Sequence, residues 1–189
     1  MFDMIVASDM HWGIGKNNKL LTQIPEDMRF FKKITLFQPV VMGRKTKDSL
    51  PKGYLDERSN IVLSRDLITN IRYRPIIHAN TDITEYNSFN SFFNDFNANY
   101  NNIPFRGKRP IIIGGAQIYK EFLDKELISR IYFTQINNIY DADVFIPNLY
   151  DYGFKYDPTH PLNVITGYED ERLSENGKDK FSIKTLIKR

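Results

Sequence analysis

Ile111-Ile112-Ile113-Gly114-Gly115-Ala116-Gln117-Ile118-Tyr119 reads as a short β-branched strand, a glycine pair and the opening of a helix. Glycines at such a junction let the backbone approach a ligand closely, and the free amides of the helix that follows favour phosphate. Alone, the pair is equally a tight turn, and it matches neither the dinucleotide G-x-G-x-x-G nor a P-loop. The same order recurs upstream. Pro39-Val40-Val41-Met42-Gly43 is an apolar strand that ends in glycine and runs into Arg44-Lys45-Thr46, two cations and a hydroxyl at a helix start. Asn60-Ile61-Val62-Leu63-Ser64 ends a third strand beside Arg65. Three strand ends of this chemistry fit a nucleotide bound across the carboxyl edge of a sheet, while any one of the cations is usually just a solvated charge.

Working outward, Met4-Ile5-Val6-Ala7 and Arg130 to Ile136 are further strands, and Pro75-Ile76-Ile77-His78-Ala79 is another. Phe89, Phe92, Phe93 and Phe96 recur at helical spacing and predict an amphipathic helix with the rings in the core. Residues 97–102 read as a polar connection. Near the end, Phe181, Ile183, Thr185 and Ile187 alternate with Ser182, Lys184, Leu186 and Lys188. Val164 to Leu173 is also strand-like, and Asn176-Gly177 between the two runs signals a hairpin. Short strands alternating with helices and closed by a hairpin predict an α/β sandwich with a mainly parallel central sheet and antiparallel edge strands.

Composition narrows the function. The 189 residues predict one domain spanning 1–189, with room for a proper core. The formal charge of +3 is mild and spread along the chain, which argues against nucleic acid and is compatible with an anionic small ligand. There is no cysteine, so disulfides and zinc–thiolate sites are excluded. His11, His78 and His160 show no metal spacing, so no metal is expected. No apolar run approaches membrane-spanning length and the first residues do not open a secretion signal, so no membrane association and a cytoplasmic location are expected.

The chemistry centres on Ile24-Pro25-Glu26-Asp27-Met28-Arg29-Phe30-Phe31-Lys32-Lys33-Ile34. Pro25 suits the first turn of a helix. Asp27, Phe31 and Ile34 then share a face with Phe30 beside them, while Glu26, Arg29 and Lys33 form the solvated side. A carboxylate in an apolar stripe is costly unless hydrogen-bonded, and its pKa tends to rise. That suits binding a polar, protonatable ligand. The plainer alternative is an acid solvated near the helix-terminal amides. Between the first strand and this helix, Trp12-Gly13-Ile14-Gly15-Lys16-Asn17-Asn18-Lys19 reads as a loop long enough to act as a lid, with Trp12 as its anchor. Arg58, in Asp56-Glu57-Arg58-Ser59, either pairs with a ligand carboxylate or is satisfied by its acidic neighbours.

Together, Trp12-Gly13-Ile14-Gly15, Ile24-Pro25-Glu26-Asp27 with Phe31, Pro39 to Thr46 and Ile113 to Tyr119 resemble the dihydrofolate reductase family. The resemblance runs from Met4 to about Ser64 and from Ile111 to Pro147, and loosely takes in the final hairpin. It implies a three-layer α/β sandwich around a central, mostly parallel eight-stranded sheet. It also implies NADPH as cofactor, dihydrofolate and antifolates as ligands, and a monomer.

By that resemblance Asp27 is the pterin-binding catalytic acid, with Thr22 beside it. Ile5, Val6, Ala7, Met28, Phe31, Leu50, Ile113, Tyr119 and Thr134 would line the substrate pocket, and Leu55 and Arg58 would hold the benzoyl-glutamate tail. Ala7, Ile14, Gly15, Gly43, Arg44, Lys45, Thr46, Leu63, Ser64, Arg65, Ile113, Gly114, Gly115, Ala116, Gln117, Ile118 and Tyr119 would hold NADPH. Arg44, Ser64 and Arg65 are placed to favour its 2′-phosphate.

One departure stands out. The family usually has tryptophan five residues before the acid, where this chain has Thr22. Threonine lacks the ring area and the indole donor, although its hydroxyl can hold a water. Thr22→Trp is therefore expected to tighten substrate binding. Two competing readings are a riboflavin-pathway pyrimidine reductase of the same fold, which would not need Asp27, and a nucleotide-binding protein without turnover.

Overall fold

The computed structural model describes residues 1–68, 71–76, 81–102, 104–161 and 170–188. In chain order the first elements are β1 (Phe2–Ser8), β2 (Gly13–Gly15), α1 (Pro25–Thr35), β3 (Pro39–Gly43), α2 (Arg44–Ser49) and β4 (Ser59–Leu63). The middle of the chain forms β5 (Ile71–Ile76), β6 (Thr81–Tyr86), α3 (Phe89–Asn99), β7 (Ile111–Gly114) and α4 (Ala116–Asp124). The remainder forms β8 (Ile128–Ile136), β9 (Val144–Phe145), β10 (Phe154–Tyr156), β11 (Arg172–Leu173) and β12 (Lys180–Lys188). Two compact units result, one from Met1–Ile34 with Tyr119–Arg189 and one from Thr35–Ile118.

In the first unit β1 and β8 pair in parallel, with Ile5 beside Tyr132 and Ala7 beside Thr134. β12 lies antiparallel on the other side of β8, and β10 and β11 pair antiparallel with β12. In the second unit β3 pairs in parallel with β4 and β7, β4 pairs in parallel with β6, and β5 closes the edge antiparallel to β6. The fold is therefore α/β with a mostly parallel sheet, as the strand–helix alternation predicts. Among the described residues the first unit has five strands in this pairing and the second unit five, against an expected eight in all. β5, an almost fully exposed edge strand, and the two-residue β11 account for the excess.

Three further differences have physical causes. β6, Thr-Asp-Ile-Thr-Glu-Tyr, has no apolar run, yet every residue of it is buried. Its polar groups are satisfied only in part: Asp82 Oδ2 accepts from Ser59 Oγ at 2.9 Å and from Arg106 Nη2 at 2.8 Å, whereas Asp82 Oδ1 and Thr84 Oγ1 are buried without a hydrogen-bond partner among the described residues. In α3, Phe89 and Phe92 are buried, whereas Phe93 and Phe96 are only half-buried, so the aromatic stripe is wider than the core it meets. β12 is buried on both faces over much of its length, which hides the expected alternation. Of the sequence-predicted strand at residues 75–79, Ile77 to Ala79 lie outside the described residues, as does most of Val164 to Leu173. The Asn-Gly hairpin forms between β11 and β12, with Gly177 at φ +69° and Ser174 N–H donating to Asp179 O at 2.8 Å. Among the described residues no helix is long and apolar enough to cross a membrane.

Candidate active site

Pro25 opens α1, and Ile24 O accepts the Met28 N–H at 3.0 Å. Glu26 and Asp27 fall in the first turn and Lys32 and Lys33 in the last, the arrangement that the helix dipole favours. The faces differ from the expectation in one respect. Glu26 does not lie on the solvated side: it is 4% exposed, with Oε1 accepting from Glu175 N at 2.7 Å, and Phe30, one turn on, is buried with it. Asp27, Phe31 and Ile34 form a half-buried strip instead. A strip that is neither core nor surface is what a ligand-facing wall requires.

Asp27 Oδ1 accepts a hydrogen bond from the Thr134 hydroxyl at 2.6 Å, and Thr134 is itself fully buried on β8. Burial pushes the Asp27 pKa up to about 6, against the opposing pull of the Thr134 hydrogen bond. Near neutrality the group can therefore take either charge state at little cost. Tyr119, on α4, donates its phenol to Ile5 O at 2.7 Å. Its pKa is pushed far above the usual range by burial first and by the Asp27 charge second. Asp27, Thr134, Tyr119, Ile5 and Ala7 thus gather in the first unit, together with half-buried Phe31. Val6 is buried. Met28, expected among the substrate contacts, is 45% exposed.

Thr22 does not hold its hydroxyl free. It donates to Asp179 Oδ2 at 2.7 Å. Asp179 is 2% exposed and also accepts from Tyr140 Oη and Asn138 Nδ2. Burial pushes its pKa up, but these three donors outweigh that and leave it below the ordinary carboxylate value. Sequence reading missed Asp179 because nothing local marks it: its donors Tyr140, Asn138 and Thr22 lie 39, 41 and 157 residues away. Asp9 was missed too. Its carboxylate accepts from the His11, Gly13 and Tyr140 amides at 2.8–2.9 Å and ties down the base of the Trp12 loop. An Asp just ahead of a glycine-containing loop was the available signal. A Cβ on Gly13 would sit 2.6 Å from Ala142 Cβ, so glycine is needed where β2 pairs with β9. Trp12 stacks on Phe133 at 5.6 Å and anchors the loop as expected. Ile14 is half-buried and Gly15 buried in β2.

The second unit holds the strand ends. A Cβ on Gly43 would meet Ile118 Cγ1 at 3.1 Å, and one on Gly115 would meet Thr46 Oγ1 at 3.1 Å. The ends of β3 and β7 are thereby stripped of side chain beside the first turns of α2 and α4. Ile113 and Gly114 are buried, Ala116 is half-buried and Gln117 is exposed. Leu63 and Ser64 end β4 buried. Arg44 is engaged by Asp66 at 2.9 Å, whereas Lys45 and Arg65 are exposed and make no ion pair among the described residues. A glycine-lined backbone flanked by two uncommitted cations and the hydroxyls of Thr46 and Ser64 fits a phosphate-bearing cofactor. Leu50 and Leu55 are half-buried, and Leu55 is tied to Asn60 by a reciprocal pair of hydrogen bonds. Arg58 is 7% exposed: Nε donates to Thr35 Oγ1 at 3.0 Å and Nη1 to Asp56 O at 2.6 Å. Its acidic neighbours Glu57 and Asp56 attract the guanidinium without an ion pair among the described residues, and burial lowers its pKa against that attraction.

The family model for dihydrofolate reductase matches residues 1–163. The chain belongs to the dihydrofolate reductase family. It is 34% identical over 148 residues to the dihydrofolate reductase of Haemophilus influenzae, covering 78% of this chain and 79% of that protein. It is 33% identical over 159 residues to the dihydrofolate reductase of Schistosoma mansoni, covering 78% of each. It is 35% identical over 158 residues to the bifunctional dihydrofolate reductase-thymidylate synthase 2 of Arabidopsis thaliana, where the same share of this chain spans only 26% of the relative. Membership of the dihydrofolate reductase family makes the chain an oxidoreductase and sets aside both the pyrimidine-reductase and the non-catalytic readings.

Proposed function

We propose that this chain reduces dihydrofolate to tetrahydrofolate with NADPH, in the cytoplasm, and that Asp27 is the acid that binds the pterin. The observation that carries this is Asp27 itself, a half-buried carboxylate with a pKa raised to about 6, with one oxygen fixed by Thr134. NADPH, when bound, supplies the hydride. The chain supplies position and charge. Asp27 accepts hydrogen bonds from the ring amide and amino groups, and its negative charge favours the proton on the imine nitrogen beside the carbon that takes the hydride. Thr134 keeps the carboxylate in one orientation. Tyr119, its proton committed to Ile5 O, presents a fixed ring edge. One proton and one hydride are consumed for each tetrahydrofolate formed.

Gly43, Thr46, Gly115 and the amides opening α4 would receive the pyrophosphate, and Ser64 with Arg65 the 2′-phosphate. With Arg44 engaged by Asp66, Arg65 is the stronger determinant of NADPH over NADH. Arg58 would meet a tail carboxylate with the N–H groups that Thr35 and Asp56 leave unused. Antifolates that mimic the protonated pterin would bind the same acid. The test is a spectrophotometric assay of purified protein with NADPH and dihydrofolate. Loss of nicotinamide absorbance that depends on dihydrofolate is expected; none at any pH from 5 to 8 would remove the reading.

A further inference from the structure

The parallel strands of the second unit have an amino edge as well as the carboxyl edge to which the cofactor is assigned. A cavity of about 170 Å³ lies at that amino edge. Its lining includes Pro39 and Ser59, the first residues of β3 and β4, and Lys108, three residues before β7. A five-residue strand spans roughly 16 Å, so the two edges are well separated.

Three cations line the cavity, Arg58, Arg106 and Lys108, against a single carboxylate, Glu57. They are not equivalent. Arg106 is paired with buried Asp82 at 2.8 Å. Lys108 Nζ donates only to a carbonyl, Phe37 O, at 2.8 Å. Arg58 is 93% buried by its 7% exposure and spends two N–H groups on neutral oxygens, leaving three of its five without a partner among the described residues. Glu57 and Asp56 attract its charge but do not offset the burial, which still lowers its pKa, and a buried guanidinium with N–H groups unused is costly to keep. Of the apolar residues beside it, Pro39 and Phe105 are buried and Phe37 is exposed, so the cavity is closed on one side and open to solvent on the other. A volume of this size holds a few waters or one carboxylate or phosphate group, and no ring system as large as a pterin.

We propose that this cavity is an anion subsite in which Lys108 and Arg106 extend the reach of Arg58 to a second carboxylate or phosphate. It rests on the proposed function only for one of two sources. The anion is either a further carboxylate on a lengthened substrate tail, beyond the one that Arg58 meets, or a free oligo-anion.

The test uses the whole chain and Lys108→Gln, which removes the charge and keeps a donor for Phe37 O. Kinetics compare dihydrofolate with dihydrofolate carrying one additional γ-linked glutamate. In parallel, citrate and inorganic phosphate are titrated by calorimetry at low salt, with neither substrate nor cofactor present. If the tail is the source, the longer substrate has a KM lower by about fivefold in the unaltered protein. That advantage disappears in Lys108→Gln while the KM of the shorter substrate moves less than about twofold. If a free anion is the source, citrate or phosphate binds the unaltered protein, binds Lys108→Gln several-fold more weakly, and weakens with added salt. Equal KM values for both substrates together with no heat from about 10 mM of either anion overturn the subsite. A protein that does not turn over dihydrofolate at all overturns the proposed function instead, and the anion titration then decides the cavity alone.

Discussion

Thr134, buried on β8, donates its hydroxyl to Asp27 on α1 across 2.6 Å and so fixes the one acid in the half-buried strip of that helix. The bond acts against desolvation: burial pushes the carboxyl up, and the hydroxyl pulls it back to about 6. Thr134→Val keeps the shape and removes the donor. The pH at which kcat/KM falls to half is expected to move upward, and activity near neutrality to fall about tenfold. A pH–rate profile of both proteins measures this; an unshifted profile would separate Thr134 from the acid.

Asp27→Asn is expected to divide activity from stability. Loss of the charge should lower kcat/KM by about 10²–10⁴-fold while NADPH affinity holds. The stability effect has the opposite sign. The folded pKa of about 6 lies above the unfolded value of 3.8, so between those pH values the folded state holds the proton more strongly than the unfolded state does. Stability contributed by this group is present below pH 3.8 and is lost as pH rises through 6. At pH 7.5 the Asn variant should therefore be the more stable by about 1–3 kcal/mol, a difference that vanishes near pH 4. Urea denaturation at the two pH values reads both signs.

Thr22→Trp is expected to lower the KM for dihydrofolate, because an indole adds apolar area near the pterin. The same change strips one of three donors from buried Asp179, so the urea midpoint should fall by an amount equivalent to about 1–3 kcal/mol. Thr22→Val, which removes the donor and adds no ring, should show the stability loss without the gain in KM.

Gly115→Ala places a methyl 3.1 Å from Thr46 Oγ1 on the surface assigned to the pyrophosphate. NADPH binding, followed by quenching of protein fluorescence, is expected to weaken about tenfold or more. Arg65→Ala should weaken NADPH by a similar factor and leave NADH nearly unchanged, because only the former carries the 2′-phosphate.

How far the residues disclosed this arrangement depends on where the physics is local. Strand, glycine and helix at 111–119 and 39–46 are patterns of neighbours, and they formed with their boundaries nearly as read. Asp27 was legible because a charge interrupts an apolar spacing. β6 was not, because its burial depends on Ser59 and Arg106, which supply hydrogen bonds from more than twenty positions away. Glu26 looked solvated because its partner, the Glu175 amide, lies 149 residues downstream. Thr22 could be seen as a departure, but that its proton is taken by Asp179 could not, since a hydroxyl says nothing in sequence about which acid it will meet.

The Asn-Gly hairpin has a further effect. Its loop grips the start of α1 through Glu175 N to Glu26, Asn176 Nδ2 to Gln23 O, Asp179 to Thr22 and the Arg29–Glu175 pair. These ties join positions about 150 residues apart, and closing so long a loop is slow relative to local folding. During synthesis the early helix must therefore wait, largely unfastened, until Glu175, Asn176 and Asp179 have been made and can reach it. The placing of Asp27 is thus a late event in folding, set by residues about 150 positions downstream of it.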